Sequence, residues 1–281
     1  MILKLIHKTL GKYVDPMPQM LSKKPVVQLA ENSKQLLDQE AVFVISPGRS
    51  GTMNLTTFVS RYTSLFALHS APPSLSTISS WYFDKLIPES AVKPAFYVAR
   101  EHCLKAAYER NMVFFDGDCK SLPLTIPIGN LMPNAKFIHL VRKPEDFICS
   151  GICRGYFTTR SPELWGHLNI ITDKYGQHPS NHIEKIAAFW EQANLIAESA
   201  KKELGTDRGI HFHAEDMFAS TQATLNAFHM LNLDRHISDY NSSVIKKINT
   251  QKNRSALLDI NQEDIHRAVH KFCKTKDSYY A

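Results

Sequence analysis

The clearest pattern in the chain is an alternation of short, continuous apolar runs with longer stretches of helical period. Ala41-Val42-Phe43-Val44-Ile45-Ser46 runs almost without a polar residue and is closed by Pro47-Gly48. A run with no polar face reads as a strand buried on both sides, the kind found inside a parallel sheet. Lys136-Phe137-Ile138-His139-Leu140-Val141 has the same character, and Val113-Phe114-Phe115 and Gly209-Ile210-His211-Phe212 are weaker versions. Between them, residues 54–64, 92–110, 144–156, 181–204 and 220–231 read as helices. A further helical stretch lies near residues 26–39, and the tail from Asn261 reads as a final helix. Buried strands alternating with helices predict one α/β domain: a central parallel sheet flanked by helices in a P-loop-like three-layer sandwich. Residues 1–40 are assigned to an N-terminal helical extension and residues 41–281 to the domain itself. No Gly/Ser-rich or Pro-rich linker divides the chain, and no internal repeat is present.

The first apolar run leads directly into Ser46-Pro47-Gly48-Arg49-Ser50-Gly51-Thr52, and a helix follows. Strand, glycine turn and helix together make a phosphate cradle, because glycines let the backbone approach an anion and the helix N-terminus presents N–H groups to it. A nucleotide-hydrolysing P-loop needs G-x-x-x-x-G-K-[ST]. This loop is shorter, lacks that lysine, and carries its cation, Arg49, inside the turn. Read without its neighbours, the segment fits a plain strand-to-helix turn with a surface arginine equally well. The second strand ends in Arg142, with Pro144 and Ser150 following. Pro144 suits the first turn of a helix, and Ser150 then lies about two turns along it.

Gly48-Arg49-Ser50-Gly51-Thr52 after an apolar strand resembles the 5'-phosphosulfate loop of sulfotransferases in its Golgi and bacterial form. The Arg142, Pro144, Ser150 spacing resembles the motif with which that family holds its donor's 3'-phosphate. Residues 246–254 resemble the late basic loop that closes over the donor, with Lys252 and Arg254 as its cations. The resemblance implies transfer of a sulfuryl group from 3'-phosphoadenosine 5'-phosphosulfate to an acceptor hydroxyl or amine. The acceptor would be a small molecule, glycan or lipid. Donor contacts would come from Gly48, Arg49, Ser50, Gly51, Thr52, Met53, Arg142, Ser150, Lys252 and Arg254. Met53 stands where relatives often have a second threonine. No metal is needed in this scheme, and no metal-ligand spacing is evident in the sequence.

The resemblance leaves the base that would deprotonate the acceptor open. Where one branch of the family has a histidine before Leu-Pro, this chain has Ser121 before Leu122-Pro123. Other branches place the base roughly twenty residues after the loop cation, where Leu68-His69-Ser70 stands here. His69 is the first candidate, since its intrinsic pKa lies near neutrality. Asp116 and Asp118, flanking Gly117 after a predicted strand, are the alternatives. Trp81, Tyr82, Tyr156, Phe157 and Trp165 lie in segments that would flank an acceptor pocket. Trp190 is assigned to the core, and Glu215-Asp216 to a helix N-terminus.

Composition adds limits. Of 281 residues, 43% are hydrophobic, enough for one large core. The formal charge of +6 suits a polyanionic ligand. No long Lys/Arg run or basic-aromatic repeat points to nucleic acid. Five cysteines at irregular spacing read as reduced thiols rather than a disulfide scaffold. The apolar start of the chain is interrupted by Lys4, His7 and Lys8, too short for a secretory signal or a span. Residues 1–14 could form an amphipathic helix touching a membrane surface, but packing on the protein is the default, and a soluble, cytoplasmic protein is expected. Two rivals remain at this stage: a P-loop nucleotide-dependent kinase, and a non-catalytic nucleotide-binding protein of the same fold. Met53, Ser70 and Ser121 are the evidence for the second.

Overall fold

The computed structural model describes residues 31–158, 178–237 and 260–280. Five parallel strands form one sheet in the order β2-β3-β1-β4-β5. They are β1 (Ala41–Ile45), β2 (Phe66–Leu68), β3 (Phe114–Asp116), β4 (Ala135–Val141) and β5 (Gly209–His213). The helices, in chain order, are α1 (Glu31–Leu37), α2 (Thr52–Tyr62), α3 (Ser76–Phe83), α4 (Glu89–Glu109), α5 (Thr125–Leu131), α6 (Pro144–Arg154), α7 (His182–Leu204), α8 (Ala214–Ala219), α9 (Thr221–Met230), α10 (Gln262–Phe272) and α11 (Lys276–Tyr280). A 3-10 turn, Cys119–Leu124, precedes α5.

Side chains alternate across each strand, so the sheet feeds two cores. Phe43, Phe114, Phe137 and Val141 pack with α4, α6, α7 and α10 on one face. Val42, Val44, Phe115, Ile138 and Leu140 pack with α2 and α9 on the other. The continuous apolar strands follow from this: β1 is buried along its whole length. The expected parallel three-layer α/β architecture is the one found. Among the described residues, no helix is long and apolar enough to cross a membrane.

Four of the five strands, and the helices named in the sequence reading, fall within a few residues of their expected places. Elements not foreseen include β2, α3, the 3-10 turn and α5. Strand β2 has three half-buried residues at the sheet edge, too few for any period to register. The 3-10 turn and α5 each contain a proline, Pro123 and Pro127, which mask helical periodicity. Of the helix expected over residues 26–39, the described part runs from Glu31 to Leu37.

The topology fixes where a ligand can sit. From β1 the chain crosses to β2 on one side, and from β3 it crosses over β1 to β4 on the other. In such sheets the crevice lies beyond the carboxyl ends of the strands, at the strand where the winding reverses. Here that strand is β1.

Candidate active site

The loop after β1 is shaped by left-handed backbone. Gly48, Arg49 and Gly51 have φ values of 78°, 53° and 94°. A side chain at Gly51 would be strained by this φ, and its Cβ would lie 2.6 Å from Met217 Cε and 2.8 Å from Phe218 Cζ, which would have to shift. Arg49 occupies a conformation that costs a non-glycine residue energy, a strain found at sites the surrounding structure over-determines. The turn is pinned from inside: Gly48 N–H donates to Ser46 Oγ at 3.1 Å, and Ser50 Oγ donates to Gly48 O at 3.1 Å. Helix α2 starts at Thr52 with Gly51 as its cap, a residue with no side chain to cap the helix, and a helix N-terminus favours an anion. Met53 sits in this first turn, 39% exposed.

Strand β4 brings the second motif to the same place. Ile45 pairs with His139, and β4 continues to Val141, which carries Arg142 up beside the loop. Arg142 Nη1 donates to Arg49 O at 2.9 Å. Pro144 opens α6 at its first position, and the helix presents Ser150 to the loop cation: Arg49 Nε donates to Ser150 Oγ at 3.2 Å. Two motifs about a hundred residues apart in sequence thus meet through direct hydrogen bonds. The buried Nε of Arg142 has no hydrogen-bond partner among the described residues. A buried, unpaired guanidinium nitrogen is costly unless a ligand oxygen completes it.

The electrostatics agree. Burial lowers the affinity of Arg49 for its proton, and Arg154 and Arg142 push the same way while Tyr156 and Cys119 oppose them. Arg154, one turn beyond Ser150 on α6, was not singled out from the sequence. Its signal was the i,i+4 spacing from Ser150. Tyr156 is buried, and its hydroxyl lies close to Gly48: a Cβ on that glycine would be 3.7 Å from it. The Cys119 thiol lines the same spot and is pushed up to about 12 by burial, chiefly, and by Asp118, so it is not a thiolate nucleophile.

His69 stands just past the end of β2, and its Nε2 lies 3.1 Å from Thr52 Oγ1. Burial lowers its pKa, with Asp118 opposing and Lys120 assisting, so the ring is neutral at pH 7. Thr56 Oγ1, a turn further along α2, donates to Thr52 O.

Asp116 and Asp118 are also close by but are differently engaged. Arg100, wholly buried on α4, donates through Nε to Asp116 Oδ2 at 2.7 Å and through Nη2 to Asp118 Oδ2 at 3.1 Å. Asp116 Oδ1 accepts the Asp118 N–H, and Asp118 Oδ1 accepts the Lys120 N–H. All four carboxylate oxygens are occupied. Arg100 Nη1 further donates to Pro73 O, tying the segment after His69 into the same network. Burial still raises the pKa of Asp116, partly offset by Arg100. Ser121 is buried and donates to Asp118 O at 2.7 Å.

Supporting residues complete the site. Trp190 is core, as expected, yet its Nε1 also donates to Arg142 O at 2.8 Å. Glu215 lies in the first turn of α8, as expected, and accepts from the Lys143 N–H and the Tyr280 hydroxyl. Phe157 packs edge-on against Tyr156 and Phe189. Trp81 and Tyr82 are half-buried on α3. Trp165, Lys252 and Arg254 lie outside the described residues, as does the segment 1–14. All five cysteines are free, in line with reduced thiols.

No family model matches this chain. No curated protein matches it. Solved structures similar to it include the sulfotransferase domain from the Synechococcus PCC 7002 olefin synthase, at 15% identity and a TM-score of 0.48, covering 89% of this chain and 98% of that one. Another is the sulfotransferase domain from the curacin biosynthetic pathway, at 16% identity and a TM-score of 0.48, covering 83% and 97%.

Proposed function

We propose that this protein is a sulfotransferase using 3'-phosphoadenosine 5'-phosphosulfate as donor. The observation that carries the reading is the meeting of Gly48–Thr52 with Arg142 and Ser150. One loop offers N–H groups and Arg49 to a 5'-phosphosulfate, and a second element offers Arg142, with its unpaired Nε, and Ser150 to a separate phosphate. A donor with phosphate at both ends of its ribose fits two such clusters. Lys252 and Arg254 join them in this reading on the strength of the sequence resemblance.

The chemistry is an in-line displacement at sulfur. The acceptor oxygen or nitrogen forms a bond to sulfur as the bond from sulfur to the bridging phosphate oxygen breaks, and adenosine 3',5'-bisphosphate leaves with that electron pair. Negative charge grows on the bridging oxygen, where Arg49 and the N–H groups of Ser50, Gly51 and Thr52 stabilise it. His69, held neutral and one hydrogen bond from Thr52, takes the acceptor's proton. Asp116 and Asp118 serve instead as partners of Arg100, since each of their oxygens already accepts a hydrogen bond inside a buried network centred on that cation.

The test is thermal melting with adenosine 3',5'-bisphosphate. At a hundred times its dissociation constant the ligand adds about 2.7 kcal/mol to stability. No shift with this ligand, together with a shift from ATP and magnesium, would replace the donor with a nucleoside triphosphate.

A further inference from the structure

The peptide group that joins Arg142 to Lys143 belongs to neither neighbouring element. Strand β4 ends at Val141, and α6 opens at Pro144 with Lys143 as its cap. The C=O and N–H of this peptide are taken instead by two side chains from elsewhere in the chain. Trp190 Nε1, on α7, donates to Arg142 O at 2.8 Å, and the Lys143 N–H donates to Glu215 Oε1, on α8, at 3.0 Å. The next carbonyl, Lys143 O, is already helical and accepts from the Phe147 N–H at 2.9 Å.

A peptide group is planar, so a bond at each end fixes the orientation of the whole plane. That plane is the joint between the two groups assigned to the 3'-phosphate. Arg142 precedes it on the strand side, and Ser150 follows it on α6. Rotating the plane would swing one against the other. Glu215 is itself held from behind. Tyr280, on α11, donates its hydroxyl to Glu215 Oε2 at 3.1 Å, and its ring packs against His213 with centroids 5.0 Å apart. Burial, chiefly, and Glu215 raise the Tyr280 pKa, with Arg142 opposing, so the phenol keeps the proton it donates.

A carboxylate beside the start of α6 would also suit the helix N-terminus as plain charge. Two observations favour positioning. Glu215 directs one oxygen at a main-chain N–H and the other at Tyr280, while the carboxylate within ion-pair reach of Arg142 is Asp146, at 3.9 Å. The Arg142 charge is thus left for a phosphate. The Trp190 bond, moreover, holds the opposite end of the same peptide, which a charge effect on the helix does not need.

We propose that Glu215 is a positioning residue for Arg142: it locks the Arg142–Lys143 peptide so that the guanidinium and the Ser150 hydroxyl converge on the donor's 3'-phosphate. The inference rests on the donor assignment above. Glu215 acts through the main chain and not on the donor itself, so its effect falls on recognition of the 3'-phosphate and not on the 5' side.

The experiment is calorimetric titration of the full chain with adenosine 3',5'-bisphosphate and adenosine 5'-phosphate, in the parent and in Glu215 variants. The readout is the ratio of the two affinities. Glu215→Ala should lower that ratio by about threefold to tenfold, a part of what the charge-assisted Arg142 contact itself supplies. Glu215→Gln keeps an oxygen at the same reach for the Lys143 N–H and should retain most of the ratio. Glu215→Asp keeps the charge but shortens the reach, and should lose the ratio as Glu215→Ala does. The reverse order, with selectivity kept in Glu215→Asp and lost in Glu215→Gln, would reduce Glu215 to a helix charge and overturn the inference. An unchanged ratio in Glu215→Ala, or equal weakening of both nucleotides, overturns it as well. The Glu215→Gln and Glu215→Asp pair decides the matter if Glu215→Ala does not fold. A parent protein that does not prefer the bisphosphate overturns the donor assignment and this inference with it, so the parent titration alone tells the two failures apart.

Discussion

The two sides of β1 treat arginine in opposite ways. Towards β3, Arg100 is wholly buried and matched by two carboxylates and a backbone carbonyl. Towards β4, Arg142 and Arg154 both act on Arg49 as like charges. The carboxylate paired with Arg142, Asp146, is 3.9 Å away and more than half exposed. A saturated buried arginine is a structural fastening, because its charge is spent inside the protein. An arginine cluster with a serine hydroxyl, a backbone carbonyl and an unpaired Nε has its charge left for something else. Proximity to the end of β1 is common to both sides, so only the balance of charge tells them apart.

The largest expected effect breaks the structural side. Arg100→Met leaves Asp116 and Asp118 buried without a cation, which should cost about 3–5 kcal/mol in urea unfolding. Arg142→Met should cost clearly less, about 1 kcal/mol, because it removes one bond to a backbone carbonyl and relieves a like-charge neighbour. Equal losses would mean that the two arginines do the same work and the contrast is false.

Next in size is Arg49→Ala. If its charge contact grows as the bridging oxygen leaves, turnover should fall by about a hundredfold to a thousandfold while the bisphosphate product still binds. Matched losses in turnover and product affinity would make Arg49 a binding residue only. Arg49→Lys should keep partial activity, since it retains the charge without the fork that reaches Ser150.

His69 tests the side where the two environments meet. His69→Ala should lower turnover by roughly a hundredfold with donor binding intact. Only neutral imidazole accepts a proton, so activity should be present at high pH and lost as pH falls through the histidine's pKa. Because burial lowers that pKa, the midpoint should lie below the usual 6.5. A near-normal rate in His69→Ala, with collapse in Asp118→Asn, would move the base into the Arg100 network.

How far the sequence reaches depends on how local each feature is. The Gly48–Thr52 loop and the Arg142, Pro144, Ser150 series were legible because each sits on a few consecutive residues whose type and backbone needs are specific. The parallel sheet was legible from its doubly buried strands. Arg100 was not, because a single arginine inside a helical stretch says nothing about two aspartates 16 and 18 residues on. Trp190 read as core and is core, but its bond to the carbonyl of Arg142 spans 48 residues. The bond from His69 to Thr52 depends on β2, whose three residues left no periodic trace.

The smallest effect is the sharpest measure of the unbalanced side. Arg142→Ala and Ser150→Ala should each weaken adenosine 3',5'-bisphosphate while leaving adenosine 5'-phosphate nearly unaffected, because the lost contacts belong to the 3'-phosphate. A charge-assisted bond is worth about 1.5–3 kcal/mol and a neutral hydroxyl about 1 kcal/mol, so Arg142 should cost about tenfold or more and Ser150 severalfold. The two losses should not add. Ser150 Oγ accepts from Arg49 and Arg142 donates to the backbone of Arg49, so both mutations also loosen the same loop. Calorimetric titration of the two nucleotides into both single variants and the double variant measures this coupling. Full additivity, or equal weakening of both nucleotides, would mean that Arg142 and Ser150 serve the loop alone and that the 3'-phosphate is held elsewhere.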